Sequence, residues 1–212
     1  MEEREYYALT KKAFETLAPF YNVMTLPLVR VRNQVVDFTN ARAASRILDV
    51  ATGTGQQAFA FAKRGYAVMG VDLTEAMLAV ARKNYPNGLL KFEAGDATHL
   101  RFEDGSFDVA CISFALHDMP LTIREKVLRE MVRVTQPGGT IVVVDYALPR
   151  NKVGRALVYR LVTLYEGDTY KEFIVSDLEG LLAQARIEVK EELSVLFGAG
   201  RLLKGMQIRA TV

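Results

Sequence analysis

The sequence predicts an α/β fold in which helices cover both faces of a mostly parallel sheet. Strand-like and helix-like runs alternate from residue 46 onward, and this alternation indicates right-handed βαβ crossovers. The runs over 46–51 and 66–71 are largely apolar, which is typical of parallel strands buried on both faces. A glycine-rich turn follows the first of them and leads into a helix, as at the ligand-binding edge of such sheets.

Proline positions and apolar periodicity give the order of the elements. Two N-terminal helices are expected over 3–18 and about 26–41, because proline interrupts a helix at Pro19 and again near Pro27. The expected strands lie near 46–51, 66–71, 89–94, 107–114 and 139–146. The expected helices lie near 56–64, 74–84, 121–134, 152–165 and 175–185.

The connections complete this scheme. The link over 95–106 is too short for a good helix and carries the turn signal Asp104-Gly105. Pro137-Gly138-Gly139 most simply ends a helix and turns the chain, so no chemistry is assigned to it. The last two strand-like runs, Ile187–Phe197 and Leu202–Ala210, are joined by so short a turn that they should be antiparallel.

The composition argues against several functional classes. Half of the 212 residues are hydrophobic, and a net charge of +2 without a basic stripe gives no indication of nucleic-acid binding. The polar start Met1–Glu5 differs from a secretory leader, and apolar runs such as Ile141–Val144 are too short to span a bilayer. Cys111, the one cysteine, lies in a strand-like run, so we expect a buried thiol and a cytoplasmic protein. The distant histidines His99 and His117 predict no metal site, and the oligomeric state stays open between monomer and homodimer.

A glycine turn and a carboxylate after it indicate a ligand that contains a nucleoside. Gly53-Thr54-Gly55 lets the backbone turn tightly and lets a ligand approach main-chain N–H groups at a helix start. Asp72 ends the second strand, where a carboxylate is placed to accept both hydroxyl groups of a ribose. The alternative for Asp72 is to cap the helix that begins near Thr74.

The identity of that ligand depends on Asp49. Gly53–Ala58 also fits the pattern G-x-G-x-x-A of proteins that bind NAD or FAD. The Asp49 carboxylate stands beside the turn, where it would repel a pyrophosphate in a partly desolvated pocket. S-adenosylmethionine has no phosphate, and its ammonium and sulfonium groups suit an acidic neighbour. The sequence therefore favours S-adenosylmethionine, unless Asp49 is only a capping or turn residue.

Four segments resemble the successive motifs of the class I S-adenosylmethionine-dependent methyltransferases. They are ILDVATGTGQ, VMGVDLTEAML, EAGDATHLRFEDGSFDVA and LREMVRVTQPGGTIVVVDY, in the order and spacing of that family over roughly residues 46 to 146. The resemblance implies a Rossmann-like, seven-stranded, mostly parallel sheet whose last strand is antiparallel. The segment AFETLAPFYNVMTLPLVRVRN resembles type 11 and ubiquinone/menaquinone-biosynthesis C-methyltransferases, which implies a carbon acceptor on an aromatic or quinol-like ring. The region after Tyr146 departs from those quinone enzymes because it is short.

The resemblance also assigns roles to individual residues. It implies that Asp96 binds the adenine amino group and that the Ala97 N–H serves the adenine ring. Leu73 and Met77 would enclose the apolar faces of the ring. By their positions alone, Asp96 would be a turn former and the other two would be helix-packing residues. The complete set of candidate cofactor-binding residues is Tyr21, Asp49, Ala51, Thr52, Gly53, Gly55, Asp72, Leu73, Met77, Gly95, Asp96, Ala97 and Ser113.

The N-terminal segment is rich in aromatic residues. They are Tyr6, Tyr7, Phe14, Phe20 and Tyr21, accompanied by Met24. Core packing alone would account for most of them. A segment that closes over a methyl-transfer cleft, however, needs an apolar inner face to exclude water. We therefore expect residues 1–45 to form a helical lid and residues 46–212 to form the cofactor-binding domain, with Tyr21 near the methionine part of the cofactor by resemblance.

His117 is the candidate catalytic residue. It follows the fourth predicted strand, in a loop expected to face both the methyl donor and the acceptor. A histidine there could take a proton from a phenol or an enol, because its pKa lies near neutrality. The alternative is a capping or packing role, with Asp118 and Pro120 starting the next helix.

The sequence thus predicts a methyltransferase that acts on a small-molecule acceptor and releases S-adenosylhomocysteine. A nicotinamide oxidoreductase would use the same turn, but no hydride-transfer site is evident and Asp49 argues against it. A non-catalytic protein that binds S-adenosylmethionine stays open, because the sequence contains no indispensable catalyst.

Overall fold

The described residues form a seven-stranded sheet. The computed structural model describes residues 3–85, 88–149, 151–162 and 168–208. The strands are β1 (Arg46–Val50), β2 (Ala67–Asp72), β3 (Leu90–Ala94), β4 (Phe107–Ser113), β5 (Thr135–Tyr146), β6 (Ile187–Val195) and β7 (Gly200–Gln207). Their order across the sheet is β3-β2-β1-β4-β5-β7-β6. Strand β7 is antiparallel to both of its neighbours and the first five strands are parallel, which confirms the predicted fold class.

Helices pack on both faces of this sheet. They are α1 (Glu3–Met24), α2 (Val29–Thr39), α3 (Gln56–Ala62), α4 (Glu75–Asn84), α5 (Leu121–Val134), α6 (Lys152–Val162), α7 (Asp168–Val175) and α8 (Leu178–Gln184). Side chains of α2 and α3 share one core layer with Ile47 and Val109. Side chains of α5 and α8 share the other layer with Leu48 and Ala110. Neighbouring residues of one strand point to opposite faces, so β1 alone contributes to both layers.

The predicted strands are confirmed, with one difference at β5. This strand begins at Thr135 rather than at residue 139, so Pro137-Gly138-Gly139 lies inside it. The pairing with β4 is irregular there, because Phe107 faces Thr135 while Val109 faces Thr140. A Cβ on Gly139 would lie 2.8 Å from the Asp108 carbonyl oxygen. The glycine therefore allows the two strands to approach closely where the pairing shifts.

The predicted helix break at Pro19 is wrong. Helix α1 continues through Pro19 to Met24, although the proline removes one helical hydrogen bond. Tertiary contacts on both sides support the longer helix: Ala18 is buried, and Asn22 binds the glycine turn. The short helix over Leu26–Leu28 and α2 then replace the helix expected over 26–41.

In the region after β5, α6 and α8 match the helices expected near 152–165 and 175–185, whereas α7 was not expected. Helix α7 ends at Val175, and α8 begins after Asp177, whose Oδ1 accepts a hydrogen bond from the Gly180 N–H at 2.8 Å. This side-chain cap separates the two helices. The predicted ends of a helix at 163–165 and of the last strand at 209–210 lie outside the described residues.

Two further sequence expectations concern the interior and the membrane. Cys111 is completely buried in β4, as expected of a structural thiol. Among the residues that the structure describes, none of the helices has both the length and the apolar character needed to cross a bilayer.

Replacing Leu128 by Ala should lower the free energy of unfolding by about 2–5 kcal/mol, because Leu128 is fully buried on α5 and its truncation leaves a cavity. Leu121→Ala is the matched control on the same helix. Its side chain is 52% exposed, so the loss should stay below about 0.5 kcal/mol. Urea unfolding measures both variants, and equal losses would contradict this assignment of the inner face of α5.

Candidate functional site

A pocket opens at the carboxyl edge of the sheet, beside the neighbouring strands β1 and β4. The strand order reverses at this point, which is where open α/β sheets bind their ligands. The space between the walls of the pocket, including the part that is open to solvent, measures about 1060 Å³. Its walls come from the ends of the first four strands and from α1, α2, α4 and α5.

The backbone after β1 turns tightly where it borders the pocket. Ala51 and Gly53 have φ angles of 52° and 56°, in the left-handed region. A Cβ built on Gly53 would have Tyr21 Cε1 as its nearest heavy atom, 3.9 Å away. Gly53 therefore keeps free the space between the turn and α1, and a side chain there would narrow the pocket.

Gly55 has a different task in the same turn. It has a φ angle of 77°, and a Cβ on it would lie 2.5 Å from the Phe92 ring and 3.0 Å from the Ala81 Cβ. Gly55 is therefore required for the close packing of the turn against β3 and α4. It was predicted to bind the cofactor, but it is not among the pocket-lining residues that the structure describes.

Asp49 is a buried carboxylate at the base of the pocket. It is 1% exposed, and its Oδ2 accepts a hydrogen bond from the Thr52 hydroxyl at 2.5 Å. Its Oδ1 has no hydrogen-bond partner among the described residues, which is unfavourable for a buried acceptor unless a ligand donates to it. Burial raises the pKa of Asp49 to about 7, and nearby Asp72 raises it further. The Thr52 hydrogen bond, the backbone N–H of Ala58 and the charge of Arg32 oppose this shift.

Asp72 connects the end of β2 to the glycine turn. Its Oδ2 accepts a hydrogen bond from the Gly53 N–H at 2.8 Å, and its Oδ1 accepts one from the Thr74 N–H at 2.9 Å. Burial raises the pKa of Asp72, whereas these two donors favour the ionised form. The N-cap residue of α4 is Thr74, so Asp72 is not the cap that was weighed as its alternative role.

The loop after β3 carries Gly95, Asp96 and Ala97 to the same pocket. The Asp96 Oδ1 accepts hydrogen bonds from both the N–H and the hydroxyl of Thr98, each at 2.8 Å. The turn-forming role weighed for Asp96 is therefore present. The Thr98 hydroxyl also lies 3.1 Å from the hydroxyl of Tyr7, so this loop is connected to α1.

Helix α1 forms the wall that faces the strand ends. Its pocket-lining residues are Tyr6, Tyr7, Thr10, Phe14 and Tyr21. The Asn22 Oδ1 accepts hydrogen bonds from the Thr54 hydroxyl at 2.5 Å and from the Gln56 Nε2 at 2.6 Å, and these bonds fasten the helix to the glycine turn. Phe20 and Met24 are 67% and 59% exposed, so these members of the predicted aromatic cluster lie on the outer surface.

His117 lies in a short helical turn over Leu116–Asp118 and is 4% exposed. Its Nδ1 lies 2.8 Å from the Asp145 Oδ1, and its Nε2 lies 3.6 Å from the Asp118 Oδ2. Asp118 lines the pocket, whereas His117 is not among the lining residues in the described part of the chain. The loop after β4 thus reaches the pocket as expected, but it does so through Asp118 and not through the predicted catalytic residue His117.

All the predicted cofactor-binding residues except Gly55 line this one pocket. Two charged residues that line the pocket, Arg32 and Asp118, were not among the predicted site residues. Residues 16–36 contain no Asp or Glu but two arginines, Arg30 and Arg32, so the sequence indicates a positive charge there without showing which of the two reaches the pocket. No local signal distinguishes Asp118 from His117. Among the described residues, no cluster of His, Cys, Asp or Glu could hold a metal ion.

Comparison with known proteins agrees with this geometry. Residues 48–143 match the family model described as "Methyltransferase domain". A demethylmenaquinone methyltransferase of Thermus thermophilus is 39% identical over 157 residues, which cover 70% of each chain. One of Renibacterium salmoninarum is 40% identical over 141 residues, which cover 64% of this chain and 58% of the relative. The chain spans about half the length of several such relatives, between 49% and 58%.

A solved structure supports the fold. A SAM-dependent methyltransferase of Methanosarcina mazei superposes with a TM-score of 0.64 at 22% identity. The superposition covers 82% of this chain and 97% of the other. Likeness at this identity concerns the architecture of the sheet and its helices.

The raised pKa of Asp49 makes a prediction about stability. The folded protein binds this proton more tightly than the unfolded chain, so its contribution is fully present below about pH 4 and is lost as the pH rises through about 7. The free energy of unfolding should therefore fall over this range, with a slope from this one group of up to about 1.4 kcal/mol per pH unit. Asp49→Asn should flatten the slope in urea unfolding measured from pH 5 to pH 8. An identical slope in both proteins would contradict the assignment.

Proposed function

Because the chain belongs to the class I S-adenosylmethionine-dependent methyltransferases, in the family that includes the demethylmenaquinone methyltransferases, we propose that it methylates a carbon atom of a reduced quinone or similar aromatic compound. The observation that carries this proposal is the pairing of Asp49 and Asp72 around the glycine turn. The buried carboxylate of Asp49 and the half-buried carboxylate of Asp72 oppose a pyrophosphate and suit a cationic nucleoside. The nicotinamide alternative is not supported by the family assignment.

The methionine end of the cofactor fits the charges at the base of the pocket. The Asp49 Oδ1, buried without a partner among the described residues, can accept a hydrogen bond from the ammonium group. Arg32 of α2 also lines the pocket and interacts electrostatically with Asp49, so an opposite charge is available for the cofactor carboxylate. This pairing of a cation with an anion matches an amino-acid zwitterion. The proposal places Tyr21 and the backbone of Gly53 beside the same group.

The nucleoside end fits the neighbouring strand ends. In this proposal, Asp72 accepts the ribose hydroxyls while it keeps its hydrogen bonds to Gly53 and Thr74. Asp96 and the Ala97 N–H serve the polar edge of adenine. The side chains of Leu73 and Met77 cover its faces, and both line the pocket.

The acceptor would lie on the side of the pocket that is formed by helices. Tyr6 and Phe14 of α1 face this space together with Met119, Ile123 and Val127. This wall is largely aromatic and aliphatic, and burial of apolar surface favours a hydrophobic ring over a small polar acceptor. The short region after Tyr146 leaves open the size of the side chain that such a ring carries.

When bound, S-adenosylmethionine supplies a methyl group on a sulfonium, which is already an excellent leaving group. The protein then has to align the acceptor carbon with that methyl group and to exclude water. Fixing two reactants in the right geometry can lower a barrier by about 7–11 kcal/mol. The aromatic wall of α1 and the strand ends would provide this alignment. His117 enters the proposal as part of the group that removes a proton from the acceptor.

Residues 1–45 are proposed to act as a lid over residues 46–212. The acceptor must enter before α1 closes the pocket, and the hydrogen bonds of Asn22 to Thr54 and Gln56 are the contacts that such a movement would break. We place the reaction in the cytoplasm, with a small-molecule acceptor and without a nucleic-acid partner. Size-exclusion chromatography will distinguish a monomer from a homodimer.

The function is tested by binding and turnover together. The protein should bind S-adenosylhomocysteine and not NADH in calorimetry. It should transfer a labelled methyl group from S-adenosylmethionine to reduced demethylmenaquinone. Binding without turnover on reduced demethylmenaquinone, other quinols or cell-extract fractions would support the non-catalytic alternative, and binding of NADH alone would overturn the proposal.

Asp72→Asn should weaken S-adenosylhomocysteine binding by about 1.5–3 kcal/mol, because it removes a charge-assisted hydrogen bond to the ribose. The matched control is Glu75→Gln, which removes one negative charge in the first turn of α4, where Glu75 pairs with Arg82. Calorimetry on both folded variants measures the difference. Unchanged affinity in Asp72→Asn, or an equal loss in the control, would count against the ribose assignment.

Asn22→Ala should lower turnover far more than cofactor affinity, because it frees the end of α1 from the glycine turn. Hydrogen exchange of residues 6–24 should slow when S-adenosylhomocysteine binds to the wild-type protein. Asn33→Ala is the control, since Asn33 is exposed on α2 and donates to the Val29 carbonyl of its own helix. Equal protection of residues 6–24 with and without ligand would refute the lid.

A further inference from the structure

Three ionisable side chains form a line from the buried strand β5 to the wall of the pocket. Asp145 lies at the inner end and is completely buried. His117 is next to it and is also buried. Asp118 lies at the outer end, lines the pocket and has a side chain that is 39% exposed. Asp118 is therefore the member of this line that an acceptor can touch.

Hydrogen bonds fix the orientation of the imidazole ring. The Asp145 carboxylate accepts hydrogen bonds from the backbone N–H of His117 at 3.2 Å and from the backbone N–H of Tyr146 at 2.8 Å. Its Oδ1 also lies 2.8 Å from the ring Nδ1 of His117. Because the Asp145 side chain is the acceptor for both of these backbone N–H groups, we assign the hydrogen of the 2.8 Å contact to the His117 Nδ1. The ring of Tyr146 packs edge-on against the imidazole at 4.7 Å between centroids. The ring is thereby held with its Nε2 towards Asp118.

This orientation creates a site for one proton between His117 and Asp118. With hydrogen on the Nδ1, a neutral imidazole turns the lone pair of its Nε2 towards the Asp118 Oδ2, 3.6 Å away. Two acceptors at this distance repel each other unless one of them is protonated. Burial raises the pKa of Asp118, and the nearby His117 lowers it. One proton on the His117 Nε2 makes the imidazole a cation beside the Asp118 carboxylate, and this carboxylate can then take a further proton at the edge of the pocket and return it.

We propose that Asp118 is the catalytic base that meets the acceptor, and that His117, oriented by Asp145, is a positioning residue that stabilises the Asp118 carboxylate. This inference rests on the proposed methylation of a quinol-type ring. The Asp118 carboxylate takes the proton of a ring hydroxyl, and the electron pair released makes the ring carbon nucleophilic. As the new carbon–carbon bond forms, the methyl–sulfur bond breaks and its electron pair stays on sulfur. Asp118 returns its proton to the ring oxygen while the ring carbon loses its hydrogen to solvent, so one proton is released per methyl group.

Several other ionisable groups face this line and must be considered in its pH dependence. From neighbouring elements they are Tyr6 of α1, Asp96 of the loop after β3, Arg124 of α5, Tyr146 of β5, and Tyr170 and Glu172 of α7. Burial raises the pKa of Tyr6, so this phenol stays neutral in the range considered. A rise of turnover with pH below neutrality would therefore come from the carboxyl groups and from the imidazole of His117.

The test compares Asp118→Asn, His117→Asn and Asp145→Asn with Asp104→Asn, an exposed aspartate that pairs with Arg133 away from the pocket. Turnover of reduced demethylmenaquinone should fall by about 100-fold or more in Asp118→Asn. Its pH profile should also lose the limb in which activity rises with pH. His117→Asn should keep that limb but move it to higher pH, because the positive neighbour of Asp118 is gone. Asp145→Asn should lower kcat more than it changes KM, and Asp104→Asn should resemble wild type.

A second readout is independent of the acceptor. In proton NMR, the titration of the His117 ring should move to lower pH in Asp118→Asn, because a negative neighbour is removed. His99, exposed and the only other histidine in the sequence, is the internal control and should titrate unchanged. Wild-type protein that does not turn over the quinol is a failure of the proposed function, and the NMR comparison then decides on the coupled pair alone. Turnover in wild type with an unaltered pH limb in Asp118→Asn, or an unmoved His117 titration, would overturn the inference.

Discussion

The carboxylate of Asp72 holds together the two strand ends on which the site depends. Its two oxygens accept N–H groups from the glycine turn after β1 and from the start of α4, so one side chain fixes both connections. The turn needs this support, because Ala51 adopts a positive φ angle that residues other than glycine rarely take. The Thr52 N–H also donates to the Val71 carbonyl at 2.9 Å and brings the turn close to β2. The residues that shape the pocket are therefore also the residues proposed to bind the cofactor.

Asp49 and Asp72 are neighbouring carboxylates that differ in their hydrogen-bond partners. Asp72 keeps two backbone donors, whereas Asp49 has a hydroxyl donor on one oxygen and no partner among the described residues on the other. Such an arrangement lowers the stability of the protein without ligand, because a buried acceptor loses its hydration and the nearby Ala58 N–H and Arg32 compensate only in part. A site that binds a cation gains from this cost, since the ligand supplies the missing donor and charge. The unfavourable burial of the Asp49 carboxylate is thus an argument that a cationic ligand binds there, because functional sites often give up stability for activity.

Local sequence patterns predicted the part of the site that lies at the ends of the strands. The buried runs before Gly53 and Asp72 contain their own signals, because strand, turn and carboxylate follow one another in the chain. The failures concern tertiary contacts. Helix α1 continues through Pro19 because Ala18 and Asn22 are held by distant residues, and Gly55 serves the packing of Phe92 rather than the pocket. His117 and Asp118 are adjacent, so only the backbone of the turn around them, including Phe114 with a φ angle of 51°, decides which of the two lines the pocket.

The two halves of the pocket therefore differ in what constrains them. The half proposed to hold the cofactor is built from backbone N–H groups and short loops at strand ends, and changes there would disturb the sheet itself. The half proposed to hold the acceptor comes from side chains of α1 and α5, which lie far apart in the sequence and meet only in the folded protein. Substitutions such as Ile123 or Val127 to other apolar residues would change the shape of that wall without touching the glycine turn. The fold can thus keep one methyl donor while the acceptor it accommodates changes with the helices.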